Sequence, residues 1–350
     1  MKYLAKPIKK LNVKSKTDAK VPVAVRRFWQ TWAKHHVDKK LAAAKIIPLP
    51  FDASVRRYYR VQGQNLIVAY DPLLKKDQRQ LLVYRVLKSF KIAVPQINFV
   101  ALAQGMSLQE DVGNDALLSV IAQAQDSWPW LKKALDILIR LHQSDFSHCL
   151  ESCHLKERFD QTKLMTEIDF TLEYFAQRLL QTPSAEIKAL RRAWAKLCSS
   201  LVHGPWVLAH RDFHTRNIMV QRNKLVVLDY QDARWGLPQY DLASLLYDAY
   251  WNWGEKNIKH AIDYYWQHAP LIRRQFKRNK RKFIQVFYQQ AAQRLFKALG
   301  TFAFQMLVRR NPRYLQYVGH TMHNLRWVLA NLPAQQKLRE QVAQLYYPRS

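Results

Sequence analysis

Glycine is scarce in this chain of 350 residues: there are 8, about a third of the usual share of roughly 7%, and no two stand closer than eight positions apart. A dinucleotide fingerprint needs glycines two and three apart, and a Walker A loop needs two five apart, so neither phosphate cradle is present. Cysteine is as thin, with 3 residues, Cys149, Cys153 and Cys198. An odd, small number builds no disulfide framework and fits a reducing compartment. His148, Cys149, Cys153 and His154 offer four zinc ligands, but adjacent Cys-His pairs suit a closed tetrahedral site poorly, and helix-flanking residues are the plainer account. No apolar run approaches 18 residues, so no membrane span is expected. Residues 1–20 are basic but lead into no apolar core, so no secretory signal is expected and the protein is placed in the cytoplasm.

Acidic residues are nearly absent from the two ends. Residues 1–50 hold 13 Lys/Arg against Asp18 and Asp38, and residues 270–350 hold 16 against Glu340, within a formal net charge of +30. Such ends suit either an anionic membrane or nucleic-acid partner or a merely solvated basic surface. The run from Arg273 to Lys282, with seven cations, poses the same choice between polyanion contact and an inter-helix connector.

What is present is ordinary globular chemistry, 49% hydrophobic and 23% charged. Residues 1–22 read as a mobile basic tail. Helical spacing over 23–45 precedes two β-rich runs, 55–61 and 66–70, joined at Gln62–Asn65. A helix is expected over 75–90 and a second hairpin, 96–103 with 106–110, around Gly105. The pattern then turns helical over 114–124, 128–144, 154–181 and 184–203. An island of short strands (206–209, 218–221, 225–229) interrupts it before helices at 241–253, 258–268, 281–309 and 312–331. The fold class is therefore α+β and bilobal, with a small sheet lobe at 23–113, a larger mainly helical lobe at 114–350, and a ligand cleft expected at their junction.

The strand island carries the chemistry. His210-Arg211-Asp212-Phe213-His214-Thr215-Arg216-Asn217 matches the H-R-D-x-x-x-x-N loop of protein-kinase-like phosphotransferases, and Asp229 follows the next strand. On such a loop Asp212 can accept the proton of an incoming hydroxyl. Asn217 stands where the chain re-enters a strand, and a turn and return strand bring Asp229 back beside it. Asn217 and Asp229 are thus the candidate ligands of Mg²⁺, a hard ion that wants oxygen. His210 and Arg211 read as loop supports and His214 as an exposed loop histidine. Asp232 is a second metal ligand, a substrate contact or a turn cap. Asp241, after Pro238, reads as a structural helix N-cap.

The run from His210 through Tyr250 resembles the aminoglycoside/choline-kinase-like phosphotransferase family, a protein-kinase-like fold. Residues 50–61, Gln109–Gly113 and Gln293–Gly300 resemble its branch of amino-sugar kinases from cell-wall recycling, from about residue 26 onward. The resemblance implies ATP-dependent, Mg²⁺-assisted phosphorylation of N-acetylmuramate or N-acetylglucosamine at the anomeric hydroxyl. It also implies that Asp52, Ala53 and Ser54 replace a glycine-rich loop over the phosphates, and that Glu110 and Val112 offer backbone groups to adenine. The phosphate-pairing lysine of kinases has no counterpart in Leu66–Asp71; Arg56, Arg57 or Arg60 can substitute, and Arg57 is the one carried forward as a cofactor contact.

On the acceptor side, Glu167 matches an acidic position of the family's substrate lobe, and equally reads as an exposed helical glutamate. Arg294 either holds the lactyl carboxylate of a muramic acid or is an ion-paired core arginine. Polycationic aminoglycosides suit an acidic pocket, so the basic segment 270–350 favours a neutral or anionic sugar. The alternatives are a kinase of another small alcohol, such as choline or an aminoglycoside, and a pseudokinase that binds polyanions or membrane surfaces.

Overall fold

The computed structural model describes residues 21–36, 41–50, 55–143 and 155–345. The expectations resting on residues 1–20, on Asp52, Ala53 and Ser54, and on His148, Cys149, Cys153 and His154 lie outside the described residues. The described chain clusters into two compact units, one reaching Asp77 and resuming at Pro95–Asp111, the other formed by Gln78–Val94 and everything from Val112.

The first unit is one helix on one sheet. Five antiparallel strands, β1 (Ile46–Pro48), β2 (Arg57–Val61), β3 (Leu66–Tyr70), β4 (Ile97–Ala101) and β5 (Met106–Glu110), pair in the order β1-β2-β3-β5-β4. Two-residue alternation sends Tyr59, Val61, Val68, Met106 and Leu108 to one face, where helix α1 (Val23–His36) buries Val25, Phe28, Trp29 and Ala33 against them. Of the helix expected to reach residue 45, Val23–His36 is helical, Leu41–Ala43 makes a single 3-10 turn, and Ile46–Pro48 then pairs with Tyr59–Val61 as an edge strand. The β4–β5 turn depends on Gly105. Its φ is 65°, and a Cβ would fall 2.7 Å from the Asp71 carbonyl oxygen.

The second unit holds α2 (Arg79–Ser89), whose Val83, Val86 and Leu87 join the large core, then α3 (Leu117–Ile121), α4 (Trp128–His142), α5 (Gln161–Thr171) and α6 (Ser184–Ser200). The helix expected from 154 starts only at Gln161, with Asp160 as its cap accepting from Lys163 N at 2.7 Å. Residues before it run extended instead: Phe159 and Trp235 bond through their backbones, and Trp235 N reaches Glu157 O. α5 passes into a π-helical stretch, Leu172–Leu179, where Leu180 N reaches back five residues to Phe175 O.

Two small sheets follow: β6 (Val207–Ala209) with β9 (Arg234–Gly236), and a hairpin of β7 (Ile218–Gln221) with β8 (Lys224–Val227). The hairpin turns through Arg222 and Asn223, both left-handed at φ 47° and 63°, the twist a two-residue loop requires. Then come α7 (Gln239–Leu246), α8 (Glu255–His268), α9 (Pro270–Gln275), α10 (Lys280–Leu307), α11 (Val318–Ala330) and α12 (Gln336–Gln344). The helix expected over 241–253 stops at Leu246, and Asp248 turns to bond the Tyr250 and Thr215 amides. α10 is the spine of the unit and buries Phe283, Phe287, Ala291, Leu295 and Leu299. It touches α5 at Gly300, where a Cβ would lie 2.4 Å from Thr171 Oγ1 and 2.6 Å from its Cα. None of the described helices is long and apolar enough to cross a membrane.

Candidate active site

The loop from His210 to Asn217 leaves β6 and is fastened from three sides. Asp241, fully buried on α7, accepts the His210 N–H at 2.5 Å and the Arg211 N–H at 2.9 Å. It is no N-cap, since Pro238 holds that position; its carboxylate is a clamp on the loop. From α10, Arg294 donates through Nη1 to the Arg211 carbonyl and through Nη2 to Ser244 Oγ, both at 2.7 Å, and lies 4.5 Å over the Tyr240 ring. Asp248 accepts from Thr215 N at 2.8 Å and Thr215 Oγ1 at 2.6 Å.

These ties set the functional side chains. Ile218 faces Val227 across the hairpin, and Leu228 N donates to Asn217 O at 2.8 Å, so Asn217 and Asp229 stand at the same end of the two strands. The Asn217 amide nitrogen donates to the Asp212 carbonyl at 3.0 Å and faces His214 Nε2 at 3.4 Å. Both contacts fall on nitrogen and leave the amide oxygen for a ligand. Asp229 has a left-handed backbone, φ 60°, and receives Gln231 Nε2 at 2.9 Å. His210 Nε2 donates to Leu228 O at 2.9 Å, tying the loop to the segment before Asp229.

The electrostatics is a balance of buried and half-buried charges. Burial alone would push the Asp212 carboxyl up, but Lys297, Arg211 and Arg294 outweigh it and hold the group below the ordinary carboxylate range. Lys297 Nζ lies 3.6 Å from Asp212 Oδ1. Glu167 is 6% exposed, not the exposed helical residue of the plainer reading. Gln293 Nε2 donates to it at 3.1 Å and Lys163 approaches at 3.3 Å. Burial again works against its charge, and Lys297, Lys163 and Arg211 keep it ionised. His214 is not the open loop histidine expected. Burial pushes its imidazole down to about 4, so it is neutral, and it meets the Tyr250 ring edge-on.

The remaining sequence candidates separate. Asp232 is over a third exposed and joins Arg79 at 2.9 Å and Arg211 at 3.1 Å. Arg57 pairs across the sheet with Tyr70, on the face that α1 covers. Arg60, on the other face, forks onto Asp111, and Arg56 bonds Asp71 at 2.6 Å. Glu110 ends β5, with its N–H on Gln96 O at 2.8 Å. Val112 packs with Met219 and Val226 beneath the β7–β8 hairpin. In the basic run that leads into the first turn of α10, Phe276 is buried while Arg274, Lys277, Arg278, Arg281 and Lys282 are exposed.

Sequence reasoning missed Lys297. The available signal was its place one turn beyond Arg294 on the same helix. Asp248 gave none, because its partner is 33 residues away in sequence.

The phosphotransferase enzyme family model matches residues 45–276. The N-acetylmuramate/N-acetylglucosamine kinase of Pseudomonas aeruginosa is 30% identical over 309 residues, 86% of this chain and 89% of that protein. The enzyme of the same name from Neisseria meningitidis is 29% identical over 287 residues, 76% and 82% of the two chains. An ADP-bound aminoglycoside phosphotransferase structure superposes with a TM-score of 0.56 at 14% identity, covering 89% of this chain and 98% of that one. At that identity the likeness speaks to fold, which is protein-kinase-like.

Proposed function

The chain belongs to the phosphotransferase enzyme family, and from that premise we propose that it transfers the γ-phosphoryl group of ATP to the anomeric hydroxyl of N-acetylmuramate or N-acetylglucosamine, in cell-wall recycling and in the cytoplasm. It is a kinase that uses a nucleotide and acts on a sugar hydroxyl. The observation that carries the site assignment is the convergence of Asp212, Asn217 and Asp229 on one end of the β7–β8 hairpin, with Asp212 held ionised.

Asn217 and Asp229 fit Mg²⁺. A neutral amide oxygen and a carboxylate are the one or two protein oxygens this ion takes when phosphates and waters complete its shell. When bound there, it would offset negative charge on the nucleotide phosphates. Asp212 orients the acceptor hydroxyl and takes its proton, and Asp241 and Arg294 fix the loop that carries it. All three acceptor-side candidates hold protein partners; Asp232, paired with Arg79 and Arg211, is the most exposed of them and suits a sugar hydroxyl. Glu167 and Arg294 support the site from behind. Glu110 and Val112 would meet adenine through their backbones, and Arg57 is the sheet's candidate for the phosphates.

The test is ATP consumption over N-acetylmuramate, N-acetylglucosamine, choline and an aminoglycoside, with product NMR to locate the phosphate. Asp229→Asn is expected to abolish turnover, and Asp212→Asn to lower kcat by about 10²–10⁴-fold with nucleotide affinity retained. Wild-type turnover by Asp212→Asn would overturn the site assignment; phosphate on choline or the aminoglycoside alone would overturn the acceptor.

A second reading, contact with an anionic membrane or nucleic acid, is favoured by the exposed cations between Arg274 and Lys282. Salt-dependent binding to anionic vesicles or DNA, lost when those cations are neutralised, would support it.

A further inference from the structure

Beside Asp212 lies a pocket of about 110 Å³, lined in part by His214, Tyr250, Arg294, Lys297 and Phe302, with room for the portion of an acceptor around one hydroxyl. Two cations line it, and they differ in what they already hold. Arg294 places both terminal nitrogens on protein oxygens at 2.7 Å. Among the described residues Lys297 has a single approach to a protein oxygen, Asp212 Oδ1 at 3.6 Å, beyond the 2.7–2.9 Å of a charge-assisted hydrogen bond. Its ammonium therefore stands beside a carboxylate without closing on it.

That gap has a natural filler. An oxygen atom about 2.8 Å from each of two groups 3.6 Å apart sits comfortably at the apex between them. A hydroxyl there donates its hydrogen to Asp212 and accepts from Lys297. We propose that Lys297 is an acceptor-binding catalytic residue, which grips the reacting hydroxyl together with Asp212; this rests on the kinase reading above.

In the transfer, the O–H bond breaks and its proton goes to Asp212. The hydroxyl oxygen's electron pair forms the new bond to γ-phosphorus. The old bond from γ-phosphorus to the bridging oxygen breaks, and its electrons leave with ADP. Lys297 stabilises the negative charge that grows on the attacking oxygen, in a site where burial strengthens each charge. Burial, with Arg211 and Arg294 beside it, lowers the amine from its ordinary range, while Asp212 and Glu167 pull the other way, toward the ammonium.

The experiment compares wild type, Lys297→Met and Lys297→Arg for transfer from Mg-ATP to N-acetylmuramate, to N-acetylglucosamine and to water, with the Kd of ATP and the melting temperature alongside. Lys297→Met is expected to lower transfer to every acceptor by about 100-fold, to leave the ATP Kd within about threefold, and to regain rate with added methylammonium or in Lys297→Arg. Transfer within about threefold of wild type would overturn the proposal. So would a rate loss matched by a rise in ATP Kd with no rescue by methylammonium, which marks a role in shaping the loop alone. If wild type transfers to water and to no amino sugar, the acceptor reading fails while the water rates still decide Lys297.

Discussion

Arg294 donates to the backbone carbonyl of Arg211 at 2.7 Å, and Arg211 has a positive φ of 83°. A non-glycine residue in that region costs about 1–3 kcal/mol, so it persists only where its surroundings over-determine it. Here the surroundings are Arg294 on the carbonyl and Asp241 on the amide, and the strained residue immediately precedes Asp212.

Arg294→Lys keeps the charge and loses the planar fork that serves Arg211 O and Ser244 Oγ together. Thermal melts should show a loss of about 1–3 kcal/mol. kcat should fall, and KM for N-acetylmuramate and N-acetylglucosamine should move by the same factor. A rise confined to N-acetylmuramate would instead place the guanidinium on the lactyl carboxylate.

Asp241→Asn leaves one carbonyl oxygen where two carboxylate oxygens serve two amides. One amide is left over in a buried site, so stability should drop by about 1–3 kcal/mol. The loop should loosen with it, read as faster hydrogen exchange at the His210 and Arg211 amides.

Gly300→Ala places a methyl against both the hydroxyl and the Cα of Thr171. Such overpacking costs about 1–3 kcal/mol. Because the Thr171 backbone is part of the clash, Thr171→Ala should not restore stability in the double variant. Activity should fall as α5, which carries Glu167, moves away from α10.

Cys198 is fully buried, and burial, with Glu167 and Asp169 adding to it, pushes its thiol up to about 12. In a Cys149→Ser/Cys153→Ser background the native protein should resist iodoacetamide at pH 8 and react once denatured. As pH rises from about 9 toward 12 the unfolded thiol loses its proton while the folded one keeps it. That contribution to stability is present below this window and is lost through it.

The candidate catalytic run was legible because it is local. Asp212, Asn217 and Asp229 lie within 18 residues, and one hairpin with a two-residue turn brings them together. The sheet strands were legible for the same reason, alternation between turn residues, whereas β1 and β9 are three residues each and gain their identity from distant partners. What supports the site is not local. Asp241, Asp248, Arg294 and Lys297 reach the loop from α7, the turn after it and α10, and only packing decides which polar residue of a helix faces inward. Asp241 shows the limit well: after a proline and at a helix start, it has every mark of a cap, and folding uses its carboxylate elsewhere.

Asp229 is itself left-handed, at φ 60°. Glycine adopts that conformation without strain, so Asp229→Gly would relax the backbone while deleting a carboxylate on which the proposed chemistry depends. Durability and turnover therefore pull this position in opposite directions. Selection of this chain for heat resistance alone would favour glycine here, at the expense of the proposed metal ligand.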